Sequence, residues 1–182
     1  QNNLKRKEFE KLNNFFWFFS LDLKSSKKTT HTVVNNWIDK NNRYNKKSWT
    51  FDITSKRIIS WLSNHKLTYE DSDEDFKKKF NHSVQKQANH LLNEIKNLSG
   101  VENKIVGCAA IILAGLVYKN EGKYLNNGLN FLKKIIKTAI DNQGFPKSRN
   151  IKQLIYYLKY FIIIREWFKE SQNTIPEYIN ET

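Results

Sequence analysis

From Ile105 to Leu116 the chain reads Ile-Val-Gly-Cys-Ala-Ala-Ile-Ile-Leu-Ala-Gly-Leu, with neither a charge nor an amide side chain. Wound as a helix, this stretch is apolar on nearly every face, so other elements must surround it. It is shorter than the ~20 apolar residues that cross a bilayer. The spacing therefore predicts a central buried helix over Val101 to Tyr118. The rest of the chain must supply amphipathic partners for it. With only two prolines and six glycines in 182 residues, those partners are long helices rather than the short strands and turns of a β-sandwich.

Helical spacing is visible on both sides. Between Leu4 and Leu21, Phe9, Leu12, Phe15, Phe16 and Phe19 recur at intervals of three and four, with Trp17 beside them. The polar run Ser25 to Thr30 predicts a break, and His31 to Asn42 a shorter second helix carrying Val33, Val34, Trp37 and Ile38. Asp52 is placed to cap a third helix through Ile58, Ile59 and Leu62. Ser72-Asp73-Glu74-Asp75 is close to a capping box, opening a helix through Phe76, Phe80, Val84, Ala88 and Leu91 that Gly100 ends. Beyond the apolar helix, Glu121 to Ile140 and a segment begun by Asn150 continue the pattern, and Pro176 sits at the first turn of a last helix. No useful strand alternation appears. The expected fold is a single all-α domain over 1–182, built of antiparallel helical hairpins. Periodicity alone leaves a solenoid and a toroid both open.

Little of this carries chemistry. Cys108 is the only cysteine, which excludes an intramolecular disulfide and a Cys-based metal site; inside an apolar run it reads as a small buried hydrophobe. His31, His65, His82 and His90 form no metal-binding spacing, so no metal ligands and no cofactor are assigned. The acids around Asp73 are explained by capping, and most of the five tryptophans by packing. The formal net charge of +13 favours anionic partners. Nucleic acid is one of them, on charge alone, although a general Lys/Asn/Ile bias explains the same charge without any partner. No signal peptide and no membrane-spanning segment is visible.

One segment stands apart. Gly144-Phe145-Pro146-Lys147-Ser148-Arg149-Asn150 reads as a tight connection between two helices, with Lys147, Ser148, Arg149 and Asn150 at the mouth of the second. Two cations, a hydroxyl and an amide at a helix N-terminus are suited to an anion. The competing reading is that Asn150 caps its helix and Arg149 pairs with a nearby acid.

With this turn, the order of several blocks resembles the N-terminal helical domain of bacterial heparinase II/III-like proteins. The blocks are Phe15-Phe16-Trp17, Val34-Asn35-Asn36-Trp37-Ile38, Trp49 with Asp52, Arg57-Ile58-Ile59-Ser60-Trp61-Leu62, Ala109 to Leu116, and Asp141 to Asn150. The resemblance implies part of an incomplete (α/α) toroid, from a larger protein whose β-sandwich lies outside this chain. It further implies a polysaccharide lyase acting on an acidic, uronate-containing glycan by β-elimination, with Lys147, Ser148, Arg149 and Asn150 as substrate-binding residues and the catalytic residues unassigned. Related sequences of this branch read Gly-Gly-His-x-Ser-Arg-Asn at the turn. Gly144, Ser148, Arg149 and Asn150 match, whereas Phe145 and Pro146 stand in place of Gly and His. This departure keeps open a degenerate member that only binds glycan, and a basic helical scaffold or nucleic-acid-binding protein remains the alternative. A truncated toroid would also expose apolar surface over Phe161 to Tyr178, open to self-association. Family analogy points to the bacterial periplasm, and the lack of a visible signal peptide to the cytoplasm.

Overall fold

A computed structural model of the chain describes residues 2–119 and 122–181. Among them there are nine α-helices and one 3₁₀ turn, and no strand. The helices are α1 (Asn2–Asn14), α2 (Leu23–Asn41), α3 (Phe51–Ser63), α4 (His65–Thr68), α5 (Glu74–Glu94), α6 (Val101–Val117), α7 (Gly122–Ala139), α8 (Ile151–Glu170) and α9 (Glu177–Asn180), with the 3₁₀ turn over Phe16–Ser20. The all-α expectation is met. Glu121, read as the start of the helix before the turn, lies outside the described residues. The chain divides into two compact units, Gln1–Leu91 and Leu92–Thr182.

In the first unit the helix predicted from Leu4 to Leu21 is broken. Phe15 takes a left-handed backbone, φ +58°, and the Asn14 side-chain oxygen accepts the Phe16 N–H at 3.0 Å. The break is repaid in packing, because it drives the Phe15 ring into the core. Phe15, Trp37 and Trp61 meet edge to face, with centroids 5.4–6.1 Å apart. The break predicted over Ser25 to Thr30 is absent, and α2 runs straight through it. Thr30 and Thr32 each bond back to the carbonyl four residues earlier, which lets hydroxyl-bearing residues stay helical. Thr50, not Asp52, stands at the N-cap of α3; Asp52 lies in the first turn and pairs with Lys56 at 2.7 Å. Asp73 does cap α5, accepting the Phe76 N–H at 2.7 Å.

The unit is tied together by Arg57, which is fully buried. Its Nε donates to Gln87 Oε1 at 2.6 Å, its Nη1 to the carbonyls of Asn13 (2.9 Å) and Ser48 (3.0 Å), and its Nη2 to Thr54 Oγ1 (3.2 Å). The guanidinium also lies over the Trp37 ring, 3.9 Å from its centroid. No carboxylate is among these partners. Burial pushes the Arg57 pKa well down. The charge is held by neutral acceptors from the end of α1, the loop before α3, α3 itself and α5, and by the π face of Trp37 on α2.

In the second unit α6 is the buried helix, with every residue from Ile105 to Leu116 inside. Burial also pushes the Cys108 thiol strongly up, as expected of a small buried hydrophobe. Gly100, with φ +90°, caps the start of α6 rather than ending α5, which stops at Glu94. Helices α7 and α8 pack on α6. Tyr178 of the terminal segment donates its hydroxyl to the Leu129 carbonyl at 3.0 Å. Phe161, Trp167 and Phe168 are buried, so within the stretch expected to expose apolar surface, Phe161 to Tyr178, only Ile162 is a large exposed apolar side chain among the described residues. It ends a stripe of exposed apolar side chains along α8, Ile151, Ile155, Leu158 and Ile162, spaced four, three and four.

Candidate functional site

The turn before α8 is built on Asp141. Its Oδ1 accepts the backbone N–H groups of Gln143 and Phe145, both at 2.9 Å. Gly144 supplies the positive φ, +81°, that the reversal requires. The N–H of Phe145, then that of Gln143, and then the nearby Arg149 and Lys147 cations hold the Asp141 carboxyl below the usual carboxylate range. Pro146 is buried and bridges to Ile140.

All four residues read from the sequence as a binding set come together here, and each has a partner in or beside the turn. Arg149 adopts a left-handed backbone, φ +56°, and its Nη2 lies 2.9 Å from Asp141 Oδ2. Ser148 Oγ donates to Gln153 Oε1 at 2.5 Å and accepts the Asn150 N–H at 3.3 Å. Asn150 Oδ1 accepts the Lys152 N–H at 2.9 Å, the geometry of an N-cap. Lys147 reaches the Lys137 carbonyl at 3.4 Å. The turn is thus self-satisfied, with the capping and ion-pair pattern weighed above. Asn150→Ala is expected to cost about 1 kcal/mol, the value of a lost cap. Urea denaturation measures it; an unchanged midpoint would show that the cap contributes nothing.

A second group was not legible as a site. In the first unit, a cleft of about 300 Å³ is lined by Ile38, Asp39, Asn42, Arg43 and Trp49 on one side and by Lys79, His82, Ser83 and Lys86 of α5 on the other. Residues 79, 82/83 and 86 repeat at three- and four-residue spacing, which places them on one face of α5. That basic stripe was the signal available in the sequence. Lys79 Nζ pairs with Asp39 Oδ1 at 2.5 Å and donates to Asn35 Oδ1 at 2.6 Å. Lys86 donates to the Asn42 carbonyl, which leaves its charge uncompensated. Among the described residues Arg43 and His82 have neither hydrogen bond nor ion pair. Arg43, Lys79 and Lys86 thus share the cleft with one carboxylate, Asp39, and with the buried Ile38 and Trp49. Trp49 is fixed there, since its Nε1 donates to the Asn41 carbonyl at 3.1 Å and its own carbonyl lies 3.1 Å from His90 Nε2.

Other candidates have structural roles. Trp37, Trp49, Trp61 and Trp167 are buried and Trp17 is partly exposed, in keeping with tryptophans used chiefly for packing. Among the described residues no three His, Cys, Asp or Glu side chains are grouped to hold a metal ion, and no helix is long and apolar enough to cross a membrane. The chain matches no protein-family model, no curated protein and no solved structure.

Proposed function

We propose that this chain is a helical domain that binds an acidic, uronate-containing glycan, as part of a polysaccharide-lyase-like protein whose hairpins contribute to an incomplete (α/α) toroid. The observation that carries the binding reading is the cleft between Ile38 and Lys86. Its cations match a carboxylate, and Ile38 and Trp49 add apolar lining beside them. The reaction class, β-elimination, rests on the resemblance alone. Its chemical requirement is a neutralised uronate carboxylate, because only then is the adjacent C5 proton acidic enough to be abstracted. Arg43 and Lys86 offer such neutralisation. The turn residues Lys147, Ser148, Arg149 and Asn150 are the secondary binding candidates, with most of their polar groups already used internally.

Titration calorimetry tests the reading with a galacturonate tetrasaccharide, its fully methyl-esterified form and a short DNA duplex. The acidic sugar is expected to bind, the ester about tenfold more weakly, as loss of a charge-assisted contact implies. The double variant Arg43→Gln/Lys86→Gln should bind the acidic sugar more weakly than the parent and narrow the gap between the two sugars. Preferential binding of the duplex, with affinity falling steeply with salt, would replace the glycan reading by the nucleic-acid one.

A further inference from the structure

Behind the cleft, the fold holds one hydroxyl in a defined state. Ser83 is buried, with 6% of its surface exposed, and is among the residues that line the cleft. Its Oγ lies 3.1 Å from Gln87 Nε2. Which end of an amide faces which neighbour is set by the hydrogen-bond network. Here Arg57 decides it. The guanidinium has only donors, so the Gln87 atom 2.6 Å from Arg57 Nε must be the oxygen. Gln87 Nε2 therefore faces Ser83 and donates both to its Oγ and, at 3.2 Å, to its carbonyl. Ser83 Oγ is thereby an acceptor within the protein. Among the described residues no hydrogen bond uses its own proton, and Ser83 is one of the residues that line the cleft.

We propose that Ser83 is the specificity-determining donor of this cleft, held in that state by Arg57 acting through Gln87, and that together with Arg43 it takes one carboxylate of the bound sugar. The proposal rests on the acidic-glycan reading for the identity of the ligand, but not for the donor itself. A ligand is selected if it presents an anionic oxygen in the cleft, and discriminated against if it presents an ester. Arg57 and Gln87 are positioning residues and touch no ligand.

Three variants test it, each titrated with the galacturonate tetrasaccharide, its methyl ester and inorganic sulfate. Ser83→Ala removes the donor, and should weaken tetrasaccharide binding about tenfold, the value of a hydrogen bond to a charged group. The methyl ester should bind Ser83→Ala and the parent protein alike. Ser83→Thr keeps a hydroxyl and should recover most of the affinity. Gln87→Glu is the decisive variant. It is isosteric and gives buried Arg57 a counterion, so the melting temperature should hold or rise. The introduced carboxylate can only accept, so it draws the Ser83 proton inward, and affinity should fall as in Ser83→Ala. If Gln87→Glu and Ser83→Ala both bind the tetrasaccharide as the parent does, the proposal is overturned. If the parent binds sulfate but not the tetrasaccharide, and Ser83→Ala loses sulfate, the donor stands and the glycan reading falls. Binding of neither probe by the parent overturns both.

Discussion

Replacing Arg57 by methionine is expected to destabilise the protein by about 3–5 kcal/mol, because several buried acceptors lose their donor at about 1–3 kcal/mol each. Methionine fills comparable space, so the loss is polar rather than steric. The carbonyls of Asn13 and Ser48 are backbone groups and cannot be substituted away. Each would remain without its guanidinium donor, as would Gln87 Oε1, and a stranded buried polar group costs about 1–3 kcal/mol. Lysine is expected to be nearly as damaging. It brings a single ammonium to acceptors that the planar fork reaches from three nitrogens, and it loses the stacking on Trp37. For a chain of this size the thermal midpoint should fall by roughly 10 °C. The measurement is urea unfolding followed by tryptophan fluorescence, since Trp37 and Trp61 sit beside the network. A methionine variant within about 1 kcal/mol of the parent would mean that water or local rearrangement satisfies those carbonyls.

Arg57 also illustrates which features the sequence makes visible. Short-range patterns are readable: the apolar run of α6 forces burial, Asp73 caps α5, and Asn150 caps α8. Each follows from residues within a few positions of one another. Arg57 reads as one more cation in a basic chain, because its acceptors lie up to 44 residues away and two of them are main-chain carbonyls. The break at Phe15 is hidden for a similar reason. The local spacing favours a continuing helix, and the gain from seating Phe15 between Trp37 and Trp61 appears only in the assembled core. The cleft combines the end of α2 and its following loop with one face of α5, segments about 40 positions apart. The turn at Asp141 to Asn150 was conspicuous because its Gly, Pro and cations are contiguous. Contiguity marks the turn chemistry well, but that chemistry serves the turn itself through Asp141.

The second large effect is steric and lies in the other unit. At Gly115 of α6 an added Cβ would stand 2.4 Å from the Leu125 nitrogen and 2.7 Å from its Cα. Both are backbone atoms of α7, so no rotamer change relieves the clash and the helices must separate. Gly128, on the α7 side, is also close, but its nearest neighbour is the Ile112 Cγ1 side-chain atom at 2.8 Å, with the Ile112 backbone nitrogen at 3.2 Å. Alanine at a helical glycine otherwise gains about 1 kcal/mol of propensity, which offsets part of each clash. Overpacking a well-filled core costs about 1–3 kcal/mol, and more where backbone must move. Gly115→Ala is therefore expected to lose at least about 2 kcal/mol net, while Gly128→Ala stays within about 1 kcal/mol of the parent as Ile112 adjusts. Chemical denaturation of the two variants in parallel gives the ordering. Equal stabilities, or Gly128→Ala the weaker, would show that α7 can shift away from Gly115 as one body, and that the contact does not set the spacing between α6 and α7.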